Sequence, residues 1–451
     1  MIKIEELKKT TLEFVGTFDI QILGIGSIPS PLNLNEVQGD QVFTYVSDDQ
    51  RILLDTSLKR YQKAKDHDEP PLSLERAGPR EKIYFNPDET SAAIVTCGGL
   101  CPGVNNVIRS VVMGLHYFYG VKRILGIPYG YEGFIPSFGH DFVDLTPEHV
   151  KDIHEFGGTI LGSSRGGQSV EAMADTIERE NINLIFAIGG DGTLKGAREI
   201  GAELLRRGAN TVVAGIPKTI DNDINLMERS FGYETAFNVA NPIIRDAHNE
   251  ARGAYNGISI IKLMGRDSGF IAASAALSMP VVNFMLIPEM DFSLRGDQGF
   301  LQRLKDRLDN RKHAVIVVAE GAGQNLFEGA EKQKDASGNV LHDDIGLLLK
   351  SKVDEYFKSI GYRVTIKYLD PSYIIRSAPA NANDSIFASR LAHHAVHGAM
   401  AGKTNFVVGL INGRFAYFPI STVANQRQKI DLNGDLWFSV LQSTGQPFVM
   451  K

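Results

Sequence analysis

The chain has 451 residues, 43% of them apolar and 22% charged, with 47 Lys and Arg against 53 Asp and Glu for a net charge of −6. Such an apolar content can bury a large core, which excludes whole-chain disorder and a disulfide-stapled mini-protein. The mild acidity excludes a polybasic surface for nucleic acid or membrane.

The N-terminus, MIKIEELKKTTLEF, lacks the uninterrupted apolar stretch of a secretory signal. No run of about 18 apolar residues predicts a membrane span, and the final PFVMK carries neither a peroxisomal nor a prenylation tail. The expectation is a cytoplasmic protein with no nucleic-acid or membrane partner. Residues 1–89 read as an N-terminal extension. Within it, 63–82 (KAKDHDEPPLSLERAGPREK) is crowded with charge and proline, a solvated linker or an arm laid over a surface that cannot form a core alone.

From Ala92 onward the pattern becomes strand, glycine turn, helix, many times over. Strands are predicted at 92–97, 184–190, 211–217, 258–264, 282–288 and 314–320, each a continuous apolar run rich in β-branched residues. Helical stretches at 196–208, 234–251 and 299–310 separate several of them. This alternation predicts a doubly wound, Rossmann-like α/β fold, whose ligands gather at the carboxyl ends of the strands. The segment 406–420, FVVGLINGRFAYFPI, reads as a hairpin.

Chemistry is concentrated just after those strands. The first runs into Gly98-Gly99-Leu100-Cys101-Pro102-Gly103 and then a helix, an arrangement that brings backbone N–H groups to an anion. Many strand-to-helix turns are equally glycine-rich for packing alone. The two cysteines, Cys97 and Cys101, are too few for a disulfide framework or a thiolate metal cage. They read as one half-buried thiol and one loop thiol. Gly189-Gly190-Asp191-Gly192-Thr193 is a stronger signal, with glycines to admit a phosphate chain and a carboxylate to hold Mg²⁺. The competing reading is a glycine turn with Asp191 capping the next helix.

Pro217-Lys218-Thr219-Ile220-Asp221-Asn222-Asp223 ends the next strand. Asp221 is the candidate general base, with Asp223 supporting it or the metal; an Asx-turn would account for one of the two acids but not for the cluster. Further on, Met264-Gly265-Arg266, Glu320 and Tyr373-Ile374-Ile375-Arg376 place arginines and a carboxylate at strand ends, and Arg165 follows another glycine turn. Several arginines at one edge point to a substrate that is itself phosphorylated. His393 and His397 share a helix face, but HExxH is absent and no third ligand is in view, so they read as ordinary helix histidines.

Taken together and in order, TCGGLCPGVNNVIRS, GGTILGSSRG, IGGDGT, GIPKTIDNDI, FGYETA, KLMGRDSGFIA and YIIR resemble the 6-phosphofructokinases over about residues 83–420. The set is most similar to plant and trypanosomatid ATP-dependent enzymes, a branch related to the pyrophosphate-using group, and the long segment before FNPDET is also like the trypanosomatid members. The resemblance implies two lobes and a central cleft. An ATP-binding lobe would span 90–232 with about 375–425, and a sugar-phosphate-binding lobe 233–374 with about 426–451. It implies Mg²⁺, ATP and fructose 6-phosphate as ligands and a homotetramer or homodimer. Residue by residue, Gly98, Arg165, Gly166, Gly190, Asp191, Gly192 and Thr193 would bind ATP, with Asp191 on Mg²⁺. Thr219, Ile220 and Asp221 would meet the sugar, Asp221 taking the proton of its 1-hydroxyl. Met264, Gly265 and Arg266 would line the same cleft, with Arg266 near the moving phosphoryl group. Glu320 would hold sugar hydroxyls, and Tyr373 to Arg376 would clamp the 6-phosphate.

Donor choice turns on two positions. Pyrophosphate-dependent members carry a second acid where Gly192 stands, and a carboxylate there would crowd and repel the α-phosphate of ATP. Lys218 pulls toward pyrophosphate, but steric access at Gly192 acts on the nucleotide itself, so ATP is the expected donor. The alternatives are the pyrophosphate-dependent reaction and a non-catalytic nucleotide-sensing relative. An NAD or lipid kinase shares the Gly189–Thr193 string but not the later motifs. Gly257 and Lys367 stand where common bacterial members carry two arginines lent by a neighbouring subunit, and glycine cannot supply that charge.

Overall fold

The structure, a computed structural model, describes residues 18–34, 44–327, 342–424 and 427–451. Strands β1 (Arg51–Leu53), β2 (Ser73–Arg76), β3 (Ser91–Thr96), β4 (Arg123–Ile127), β5 (Val143–Asp144), β6 (Leu184–Gly189) and β7 (Val212–Pro217) belong to one sheet. Strands β8 (Gly257–Leu263), β9 (Phe284–Leu286), β10 (His313–Ala319) and β11 (Thr365–Leu369) form a second, in the order β9-β10-β8-β11. The chain then returns through β12 (Phe406–Ile411) and β13 (Arg414–Pro419) to the first sheet, giving the nine-stranded order β1-β2-β13-β12-β7-β6-β3-β4-β5.

The apolar runs are continuous because both faces of these strands are covered. In β3, Ala92 and Ile94 enter one core cluster while Ala93 and Val95 enter another on the opposite face. Strand β6 divides likewise, Leu184, Phe186 and Ile188 against Ile185 and Ala187, as a side-chain period of two requires. Helices α1 (Val104–Met113), α2 (Asp191–Arg207), α3 (Tyr233–Gly253) and α4 (Ala382–Met400) cover the faces. Helix α2 shows the usual logic. Leu194, Ala197, Ile200 and Leu204 recur on one buried stripe, and Gly208 ends the helix in the left-handed region.

Register places the site. In the first sheet Pro217 pairs with Gly189 and Ile188 with Thr96, so three strands deliver their following loops to one edge. In the second, Leu263 pairs with Ala319 and Ile261 with Leu369, which levels the residues after β8, β10 and β11.

Two expectations are corrected and one, the hairpin, is borne out. Residues 63–82 are more than a solvated arm, because β2 inserts antiparallel between β1 and β13 with Leu74 fully buried. The 406–420 hairpin is part of the first sheet, β12 lying parallel to β7. Cys97 and Cys101 are both buried, in different core clusters: Cys97 in the one that holds Tyr131, and Cys101 in the other, its Sγ donating to the Phe231 carbonyl.

Candidate active site

The two levelled edges face each other across a cavity of about 620 Å³. From the first sheet it is lined by Gly98, Arg165, Gly166, Gly190, Asp191, Gly192 and Thr193. Gly98 has φ +84°, a left-handed conformation that favours glycine, and a Cβ there would lie 3.2 Å from the Lys218 amine and crowd it. Lys218 is buried and donates to the Gly99 carbonyl at 2.6 Å; burial holds its amine below the usual lysine range. The free N–H groups at the start of α2 point to the same end of the cavity and suit a phosphate.

Asp191 opens α2. Its Oδ2 accepts from Lys195 at 2.8 Å, while Oδ1 is buried with no hydrogen-bond partner. Such an orphaned carboxylate oxygen fits a bound cation. Among the described residues no group of three or more His, Cys, Asp or Glu is assembled for a metal. A magnesium ion here would therefore draw its other ligands from phosphate and water, as that ion commonly does.

The loop after β7, at the same edge of the first sheet, adds Lys218, Thr219, Ile220, Asp221 and Asp223 to the lining. Asp221 Oδ2 sits 3.5 Å from the Arg266 backbone N–H, and the Asp221 carbonyl accepts from Ser268 Oγ at 3.0 Å. The Thr219 hydroxyl donates to Asp223 Oδ1 at 2.7 Å and accepts the Asp221 N–H at 3.2 Å. Both carboxyls are raised above the ordinary carboxylate range. Burial is the main cause for each, reinforced at Asp221 by the charges of Asp223 and Glu320; at Asp223, Thr219 and Arg427 oppose it.

The second sheet contributes Arg266, Glu320 and Arg376. Gly265 holds φ +131°, where a side chain would strike the Ser268 carbonyl. Met264 is buried behind the wall, its sulfur accepting from Arg376 Nε at 3.0 Å. Tyr373 and Ile374 are 84% and 63% exposed and Ile375 is buried in the core, so of that turn only Arg376 lines the cavity.

Three further lining residues carry charge: Lys195, Glu199 and Arg427. Lys195 is legible in sequence, four residues after Asp191 on one helix face. Arg427 is not, because it reaches Asp223 and Asp267 from a distant part of the chain, 160 residues away in the case of Asp267, with no motif around it.

The remaining candidates resolve plainly. His397 Nδ1 lies 2.8 Å from the Tyr119 hydroxyl and His393 packs edge-on against Phe118, so both are ordinary helix histidines engaged by aromatic neighbours. A Cβ at Gly257 would lie 2.1 Å from the Ala251 carbonyl, so α3 leaves no room for a side chain there; Lys367 pairs with Glu250 at 3.5 Å.

Residues 91–399 match the family model described as Phosphofructokinase. The chain belongs to the phosphofructokinase family. A relative from Borreliella burgdorferi, named ATP-dependent 6-phosphofructokinase, is 54% identical over 384 residues, covering 84% of this chain and 86% of its own. ATP-dependent 6-phosphofructokinase 1 of Arabidopsis thaliana is 48% identical, covering 83% and 80%, and the ATP-dependent 6-phosphofructokinase of Trypanosoma cruzi is 45% identical, covering 83% and 77%. The fold is that of phosphofructokinases too. The solved pyrophosphate-dependent phosphofructokinase of Marinobacter aquaeolei superposes with a TM-score of 0.64 at 20% identity, over 79% of this chain and 91% of that one. Two Rossmann-like lobes around a cleft describe the family and this chain alike.

Proposed function

We propose that the cavity transfers the terminal phosphoryl group of ATP to the 1-hydroxyl of fructose 6-phosphate, giving fructose 1,6-bisphosphate and ADP, a step of glycolysis. The observation that carries this reading is the confrontation of Asp191 and the start of α2 with Asp221, Arg266 and Arg376 across one cavity. The proton of the hydroxyl passes to Asp221 as the O–P bond to the sugar forms and the bond to the ADP oxygen breaks. Arg266 offsets charge on the moving group, Glu320 holds sugar hydroxyls, and Arg376 meets the 6-phosphate, presented by the turn through Tyr373, Ile374 and Ile375. Little covalent work falls to the protein; positioning and charge neutralisation do most of it.

Gly98, Arg165, Gly166, Gly190, Gly192 and Thr193 form the proposed nucleotide side. Asp191 would hold Mg²⁺, which supplies charge neutralisation on the phosphoryl oxygens. The division into an extension (1–89), an ATP-binding lobe (90–232 with about 375–425) and a sugar lobe (233–374 with about 426–451) accompanies this reading, as do a homotetramer or homodimer and a cytoplasmic location. Among the described residues no helix is long and apolar enough to cross a membrane.

Donor choice is supported by open space. A Cβ at Gly192 meets no atom within 4 Å, while the Lys218 amine is engaged by Gly99. Gly192→Asp should therefore fold without strain and act on the nucleotide itself, by crowding and repelling its phosphate. Initial rates with fructose 6-phosphate and Mg²⁺, supplying ATP or pyrophosphate, test the reading. Turnover is expected with ATP and not pyrophosphate, and Gly192→Asp should raise the KM for ATP about tenfold, the effect of about 1.4 kcal/mol. Turnover with pyrophosphate alone would assign the choice to Lys218, and activity with neither would favour a non-catalytic relative.

A further inference from the structure

Residues 427–430 form a short strap between the loops that carry Asp221 and Arg266. Arg427 makes an antiparallel bridge with Ile224. The Gln428 N–H donates to the Asp223 carbonyl at 2.9 Å, and its side-chain amide donates to the Asn222 and Met227 carbonyls at 2.7 and 3.1 Å. These bonds tie the strap to the loop after β7. Further along, the Ile430 N–H donates to Glu289 Oε1 at 2.9 Å, and the same oxygen accepts from the Gly269 N–H at 3.0 Å. That ties the strap to the loop after β8, immediately beyond Arg266.

Arg427 lies where the two attachments converge. Its Nη1 bonds the Asp267 carboxylate, and its Nε stands 3.7 Å from Asp223 Oδ2. Asp223 follows a strand of the first sheet and Asp267 a strand of the second. Two like charges brought to one rim from opposite lobes repel unless a cation spans them. A planar guanidinium presents donors on separate edges and can serve both; an ammonium is a point charge.

We propose that Arg427 is a positioning residue for phosphoryl transfer, which by holding Asp223 and Asp267 together sets the separation between the loop of Asp221 and the loop of Arg266. This rests on the reading of Asp221 and Arg266 given above. It predicts a loss in the chemical step rather than in binding, because misplacement by about 1 Å costs roughly a hundredfold in rate.

The test uses the full-length protein with Mg-ATP and fructose 6-phosphate. Arg427→Met should lower kcat about 10- to 100-fold while KM for each substrate stays within about threefold. Arg427→Lys should recover part of the loss. Asp267→Asn, which leaves Arg427 in place beside Asp223, should lower kcat less than Arg427→Met, and the double variant should be no worse than Arg427→Met alone. An unchanged kcat in Arg427→Met overturns the proposal. So do additive losses in the double variant, and so does a raised KM for fructose 6-phosphate at constant kcat, which would make Arg427 a substrate-binding group. If Arg427→Met does not fold, Arg427→Lys and Asp267→Asn decide, since normal kcat in both also overturns it. Asp221→Asn separates the premise from the inference: parent-like turnover in that variant removes the base assignment whatever Arg427 does.

Discussion

At Asp221 two demands conflict. A proton acceptor must hold its charge near neutrality, yet burial beside Asp223 and Glu320 disfavours that charge and raises its carboxyl. An unfolded aspartate titrates near about 3.9. Above that pH the folded chain retains a proton that the unfolded chain has released. The stability tied to this proton is complete below the unfolded value and is lost as pH rises through the folded one. Asp221→Asn removes the penalty, and its amide oxygen can still accept the Arg266 N–H. The variant should lose about 10²–10⁴-fold in turnover and melt higher than the parent at pH 8, the gap narrowing toward pH 5. Thermal melts and initial rates at both pH values check this, and equal melting temperatures at pH 8 would remove the buried charge from the explanation. Asp221 was legible as a candidate because an acid cluster after a buried strand is unusual; its raised carboxyl was not, because Glu320 reaches it from another sheet.

Elements differ in how openly they declare themselves. Strands β3, β6, β7, β8 and β10 are mostly apolar because each is packed on both faces, with Lys262 of β8 a charged exception. Strand β11, at the edge of its sheet, is partly exposed along its length and carries Lys367, so no continuous run marks it. Helix α4 was expected from its sequence, but not the neutrality of its histidines. Burial pushes His394 down to about 3, helped by the charges of Arg390, His393, Arg76 and Arg80, and holds His397 well below the usual range. Unfolded histidine titrates near about 6.5, so the unfolded chain takes up protons below that value that the folded chain refuses. Stability from these residues is complete above about pH 6.5 and falls with acidification. The urea midpoint should drop between pH 7 and pH 5.5, and His394→Leu, which also removes a buried nitrogen without a partner, should shrink that drop. An identical pH dependence in the variant would rule His394 out as its source.

At the scale of the whole molecule the N-terminal segment is joined to the first sheet by charge as well as by strand pairing. Arg80 and Lys403 are buried around Glu75, Lys403 Nζ lying 2.7 Å from Glu75 Oε1, and Asp48 closes the group from outside at 2.7 Å from Arg80 and 2.9 Å from Lys403. Breaking a buried ion pair strands the remaining charges, whereas an exposed partner contributes little. Glu75→Gln should cost about 3–5 kcal/mol in urea unfolding. Asp48→Asn, whose side chain is 72% exposed, should cost clearly less. Equal losses would show that the network is not organised around the buried carboxylate.

The glycine turns, the paired acids and the arginines at strand ends were determined by the sequence itself, because each lies in a contiguous run whose backbone conformation and chemistry are local, and a parallel sheet places such runs on one edge. The tertiary structure alone decided the insertion of β2 beside β13, the exclusion of any side chain at Gly257, and the meeting of Arg427 with Asp223 and Asp267. Those depend on which distant surfaces are pressed together. A buried charge takes its partner from whatever the packing brings within reach, and no neighbouring residue in the chain announces which one that is.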